Sequence, residues 1–169
     1  MNENVTRRLA LESRLRKAVD NGELIPFLQP KAELADGRVS GMEALARWPQ
    51  EDGSLVSPAE FIPLAEETGL IVPLGEIILE KACLAAQSLA QAGHAGLALA
   101  VNLSPKQFRQ QDMVARILGI LARTGMPPDR LELEITETTL MTDIDKTVDK
   151  LRELAGHGIG LAVDDFGTG

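Results

Sequence analysis

With 169 residues, 44% of them hydrophobic, the chain is long enough to bury a real core as one domain. Its 25 acidic and 17 basic residues give a net charge of −8. This excludes a basic surface for nonspecific nucleic-acid binding, but not an anionic ligand held through metal ions or a local arginine. Aromatic residues make up only 3%, with no tyrosine, so a base-stacking platform for single strands is excluded as well.

No apolar run reaches the roughly 18 residues of a membrane span, and the N-terminal MNENVTRRLALESRLRK is charged where a secretory signal would be apolar. Cys83 is the only cysteine and cannot form an internal disulfide. A reducing, cytoplasmic setting is therefore expected.

In chain order, an apolar stripe of Leu11, Leu15, Ala18 and Val19 predicts a first helix. Strands are predicted at Ile25–Leu28 and Val39–Trp48. Ser57-Pro58-Ala59-Glu60 carries the capping-box pattern with proline at the first helical position, and so does Ser104-Pro105-Lys106-Gln107. Between them lie a helix with the face Ile78, Ala82, Ala85 and Leu89 and a strand at Leu97–Leu103. A helix with the face Val114, Ile117, Leu118 and Leu121 follows, then a strand at Leu131–Thr136. A helix through Ile144, Val148, Leu151 and Ala155 leads to a last strand at Gly160–Asp164. Alternating strands and helices of this kind predict βα units and a parallel sheet. Cys83 falls among Ala82, Leu84 and Ala85 and reads as a small buried hydrophobe. His94 and His157 lie beside glycines in connecting loops and read as solvated, without the spacing of a metal pair.

Side chains alternate across a strand, so each strand sorts its residues into two faces. Glu43, Leu45 and Arg47 share one face, opposite Met42, Ala44, Ala46 and Trp48. Glu132 and Glu134 share a face opposite Leu131, Leu133 and Ile135. Asn102 lies with Ala100, and Asp164 with Ala162. In a closed parallel barrel these groups would converge at the C-terminal mouth, where active sites of that architecture lie. Three carboxylates and an amide are hard oxygen donors suited to Mg²⁺ or Mn²⁺. A carboxylate that ends a strand can equally cap a helix, pair with an arginine or face water, and spacing alone leaves these readings open.

MEALARW at Met42–Trp48 resembles the signature of the EAL domain family. PFLQP at Pro26–Pro30, SPAEFIPLAEETGLI at Ser57–Ile71, VNLSPKQF at Val101–Phe108, LELEITET at Leu131–Thr138 and VDDFGTG at Val163–Gly169 follow the family's order. The resemblance spans roughly residues 10–169. It implies an α/β fold, a TIM-like (β/α) barrel of which this chain holds the N-terminal two-thirds, with residues 1–20 as a linker helix and 21–169 as the incomplete domain. It also implies hydrolysis of cyclic di-GMP to linear pGpG with two Mg²⁺ or Mn²⁺ ions, in bacterial second-messenger signalling. Glu43, Asn102, Glu134, Asp164 and Asp165 match metal ligands, with Glu43, Asp164 and Asp165 as the catalytic acids. Glu137 matches a further acid, and Gln29, Leu45 and Arg47 match positions that contact the dinucleotide. Phe166, Gly167, Thr168 and Gly169 match a loop tied to regulation and dimerisation. Glu132 matches no ligand, and a supporting role is expected for it.

The sequence ends inside that loop, so the chain alone is expected to be inactive or nearly so, and an open barrel edge predicts self-association, as a homodimer or otherwise. The first helix is similar to segments that join such domains to a GGDEF or sensory domain, a role compatible with packing on the barrel. A cyclic di-GMP receptor without hydrolysis and a pure interaction module are the rival readings.

Overall fold

The computed structural model describes residues 3–141 and 143–164. Its sheet runs in the order β1 (Ile25–Ala32), β2 (Val39–Pro49), β4 (Ala98–Asn102), β5 (Leu131–Thr136), β6 (Gly160–Asp164), with the short β3 (Leu55–Val56) paired to the end of β2. β2, β4, β5 and β6 are parallel, and each joins the same edge as its predecessor, while β3 pairs antiparallel with β2. A doubly wound sheet would reverse its order at a switch point; stepwise addition in one direction is how a (β/α) barrel grows.

β1 departs from the all-parallel expectation and pairs antiparallel with β2. Residues 33–38 are too few for the crossover of a dozen or more that parallel strands need. They turn instead through Glu33 N–H to Arg38 O at 2.8 Å, with Gly37 at φ 70°. Only glycine takes that backbone region without steric cost.

Helices α1 (Glu3–Asp20), α2 (Pro58–Thr68), α3 (Ile71–Leu89), α5 (Met113–Thr124) and α7 (Ile144–Gly156), with the one-turn α4 (Pro105–Phe108) and α6 (Glu137–Leu140), supply the apolar faces. The core gathers Leu15, Phe61, Leu74, Leu99, Leu131, Leu133, Ile135 and Leu154, all essentially without solvent contact. Met42, Ala44 and Trp48 belong to it, which puts the other face of β2 on the inner side of the sheet. Trp48 meets Phe61 edge-on, with ring centroids 5.9 Å apart.

Two expectations need correction. Ser57 starts α2 with extended backbone and Pro58 behind it, but its side chain makes no cap; Glu60, meant to close the box, pairs with Arg7 at 3.0 Å instead. On α7 the buried residues are Thr147 and Leu154, with Val148 and Leu151 half-buried, whereas Ile144 and Ala155 face solvent. The packed face is rotated by about one residue from the apolar pattern.

The box at Ser104 does form. Ser104 Oγ accepts from Gln107 N–H at 3.2 Å, and Gln107 Oε1 accepts from Ser104 N–H at 3.0 Å. Gly75 of α3 leaves the space for this glutamine, since a Cβ there would lie 1.8 Å from Gln107 Nε2. The cap sits two residues after Asn102 and so anchors the exit of β4. Ser104→Ala is expected to cost about 1 kcal/mol, read from a urea midpoint at unchanged m-value.

Cys83 is fully buried, and burial pushes its thiol up to about 11. It is expected to resist thiol reagents at pH 8 until the protein is unfolded. Stoichiometric labelling of the native protein would contradict this placement.

Candidate active site

The strand register decides which acids can meet. On β2, Glu43 pairs with Gln29 of β1 on one side and Ala100 of β4 on the other. One layer further toward the C-terminal ends, Asn102 of β4 pairs with Glu134 of β5, and beyond it Thr136 pairs with Asp164 of β6. Because the period is two, Glu43, Asn102, Glu134 and Asp164 all leave their strands on the face turned away from Met42, Leu133 and Ile135. Asn102 Nδ2 donates to Glu43 Oε1 at 2.9 Å, joining the first two.

Glu134 is nearly buried, at 9% exposure, and Lys31 of β1 makes an ion pair with it. Lys31 also stands 3.6 Å from Glu132. Burial pushes the Glu134 carboxyl above the usual carboxylate range; the hydrogen bond from Lys31 draws it back, and the charges of Glu43 and Asp164 push it further up. For Lys31, burial pulls the ammonium down, but its hydrogen bond to Glu134 and the charges of Glu134, Glu132 and Glu43 outweigh that, so its pKa is raised. One lysine here faces three carboxylates, Glu134, Glu132 and Glu43. Crowded carboxylates of this kind are relieved by a bound cation.

A cleft of about 310 Å³ opens between the strand ends and α2 and α3, lined by Leu45, Arg47, Asn102, Glu134 and Thr136 and also by Ile62, Leu74 and Ile78. Arg47 lies over the Phe27 ring at 5.2 Å and donates from Nη1 to Ala46 O at 2.9 Å. The guanidinium is thereby held at the rim by a cation–π contact. Gln29 is exposed beside Glu43, and Leu45 is half-buried between Glu43 and Arg47. Glu137 opens α6 immediately after β5.

Glu43, Asn102, Glu134, Asp164, Gln29, Leu45 and Arg47 therefore lie on one face and its C-terminal rim. Asp165, Phe166, Gly167, Thr168 and Gly169 lie outside the described residues. The oxygen donors suit a hard divalent ion. The ring is nevertheless loose: among the described residues, no three Asp, Glu, His or Cys side chains converge closely enough to enclose one.

Lys31 was missed as a member of this group, although it alternates with Gln29 on β1 and so shares its face. Phe27, which pairs with Leu45, was missed for the same reason.

The EAL domain family model matches residues 12–169. The bifunctional diguanylate cyclase/cyclic di-GMP phosphodiesterase MucR of Pseudomonas aeruginosa is 41% identical over 169 residues, covering all of this chain and 25% of that protein. The cyclic di-GMP phosphodiesterase NbdA of the same organism is 40% identical over 164 residues, 97% of this chain and 21% of that one. The chain thus spans about a quarter of the length of these relatives. Among solved structures, the MucR phosphodiesterase in its c-di-GMP complex superposes with a TM-score of 0.89 at 41% identity, over 95% of this chain and 65% of that one. The EAL enzyme Bd1971 in its cGMP-bound form gives 0.88 at 26% identity, over 99% of this chain and 47% of that one. Strand order, the acid-bearing face and these matches agree: the chain belongs to the EAL domain family and carries part of its TIM-barrel fold.

Proposed function

We propose that this chain forms part of the catalytic site of a cyclic di-GMP phosphodiesterase, which hydrolyses one phosphodiester bond to give linear pGpG. The observation that carries the reading is the Glu43–Asn102 hydrogen bond on the same strand face as the nearly buried, Lys31-paired Glu134. Glu43, Asn102, Glu134, Asp164 and Asp165 would hold two Mg²⁺ or Mn²⁺ ions. Such ions, when bound, activate water and stabilise charge developing on phosphate.

The protein's own part is positioning. Asn102 fixes the Glu43 carboxylate through one oxygen and leaves the other for a ligand. Arg47, steadied on Phe27, supplies positive charge at the rim for a phosphate or guanine oxygen. Gln29 and Leu45 would contact the dinucleotide from the same face. In the reaction, water adds to phosphorus and one ribose oxygen leaves with a proton.

We also propose a cytoplasmic location, self-association, and fusion to a GGDEF or sensory domain in the whole protein. The name of the MucR relative, a bifunctional cyclase and phosphodiesterase, supports the fusion. Residues 1–20 would be the linker and 21–169 the domain; because Leu15, Ala18 and Val19 pack into the core, linking would fall to the N-terminal turns, where Val5 and Leu9 are exposed. Among the described residues no helix is long and apolar enough to cross a membrane.

The test is incubation of the intact protein with cyclic di-GMP and Mn²⁺, followed by chromatography of the nucleotides. Linear pGpG is expected with Mn²⁺ and none after chelation. Binding without turnover would favour a receptor, and no binding would favour an interaction module.

A further inference from the structure

Lys31 belongs to β1 and Glu134 to β5, three steps apart in the sheet. At the usual strand spacing a flat sheet would separate those strands by about 14 Å. The ion pair therefore spans the chord of a curved sheet, across its inner face. Small residues keep that path open. Gly41 stands opposite Lys31, and a Cβ there would come within 2.9 Å of the Ala98 carbonyl oxygen. Ala98 and Ala100 of β4 continue the shallow floor.

The register places Lys31 one layer below the Gln29–Glu43 pair, on the side away from the C-terminal mouth. Its ammonium thus reaches Glu134 from beneath and engages Oε1, while Glu132 holds it at 3.6 Å. Lys31 itself is only partly exposed, and Glu134 has little water to hold it in place.

We infer that Lys31 is a positioning residue for Glu134: by binding Oε1 from below it fixes the carboxylate rotamer and leaves Oε2 directed to the cation position beside Asn102 and Glu43. Glu132 is the second anchor of the lysine, which gives that inward-facing acid its role. The inference rests on the metal-site reading above. Groups that hydrogen-bond a ligating carboxylate set its orientation, and their loss costs about 10–100-fold in metal affinity.

The test is Mn²⁺ calorimetry on the intact protein with and without Lys31→Met, alongside thermal melts in chelator. Lys31→Met is expected to weaken Mn²⁺ binding by about 10–100-fold, and Lys31→Arg, which keeps a cationic donor, to restore most of it. A purely structural lysine would change the metal-free melt and leave the Mn²⁺ affinity of the folded fraction alone. Should Lys31→Met fail to fold, Glu132→Gln leaves Glu134 intact and is expected to give a smaller loss in the same direction. Equal or tighter Mn²⁺ binding by the folded Lys31→Met variant, or by Glu132→Gln in its place, overturns this inference and leaves the metal site standing; tighter binding would make Lys31 a competitor of the ion. No Mn²⁺ binding by the unsubstituted protein overturns the metal site and the inference together.

Discussion

On the function proposed above, Glu43→Gln in the intact protein is expected to lower Mn²⁺-dependent hydrolysis of cyclic di-GMP by at least about 100-fold, the upper range for losing even an outer partner of a ligand, while leaving the fold intact. The substitution is close to isosteric. Glu43 accepts a hydrogen bond from Asn102 Nδ2 at 2.9 Å through Oε1, and a glutamine carbonyl oxygen can accept it too, without the charge assistance. Only the negative charge and one ligating oxygen are lost. Glu43 is also among the charges that crowd Glu134, so its neutralisation relieves that repulsion and gives no reason for unfolding. Turnover at saturating Mn²⁺ and the urea midpoint should be measured on the same preparation. A large fall in turnover with an unchanged midpoint is the expected pair; turnover within a fewfold of the unsubstituted protein would remove Glu43 from the ligand set.

The largest effect on stability is expected at Phe61. Phe61→Ala should cost about 3–5 kcal/mol, a large part of the roughly 5–15 kcal/mol that holds a domain together. Phe61 has no solvent exposure, lies on α2 and meets Trp48 of β2 edge-on. It therefore ties the α2 segment to the strand that carries Glu43 and Arg47. The Arg14 guanidinium lies 5.5 Å from the Trp48 ring centroid. A loss below about 1 kcal/mol, the scale of a surface change, would mean that α2 can repack onto the sheet without this contact.

What was legible in the sequence follows from how local each determinant is. The alternation in Leu131-Glu132-Leu133-Glu134-Ile135 needs only the strand period, and the structure keeps β5 at Leu131–Thr136 with its leucines buried. The Ser104 box is equally local, four residues closing on themselves. At Ser57 the same motif did not close: the Glu60 N–H donates to the Ser57 carbonyl at 2.9 Å, and the Glu60 carboxylate pairs with Arg7, fifty-three residues away in the chain. No local pattern announces that choice. The antiparallel entry of β1 was readable in principle from the shortness of residues 33–38, but the expectation of βα units throughout displaced it. Lys31 was hidden for a different reason. Its partners lie across three strands, and only the curvature of the assembled sheet brings them together. On α7, Thr147 is buried in place of Ile144, a case where packing against neighbours overrode the apolar pattern.

The central proposal, that Glu43, Asn102, Glu134 and Asp164 would ligate a cation at the C-terminal rim of the sheet, is most directly tested by anomalous diffraction from crystals of the intact protein grown with Mn²⁺. An anomalous peak within about 2.5 Å of oxygen atoms from these side chains is the predicted result. A peak elsewhere, or none with Lys31 still bound to Glu134, would contradict it.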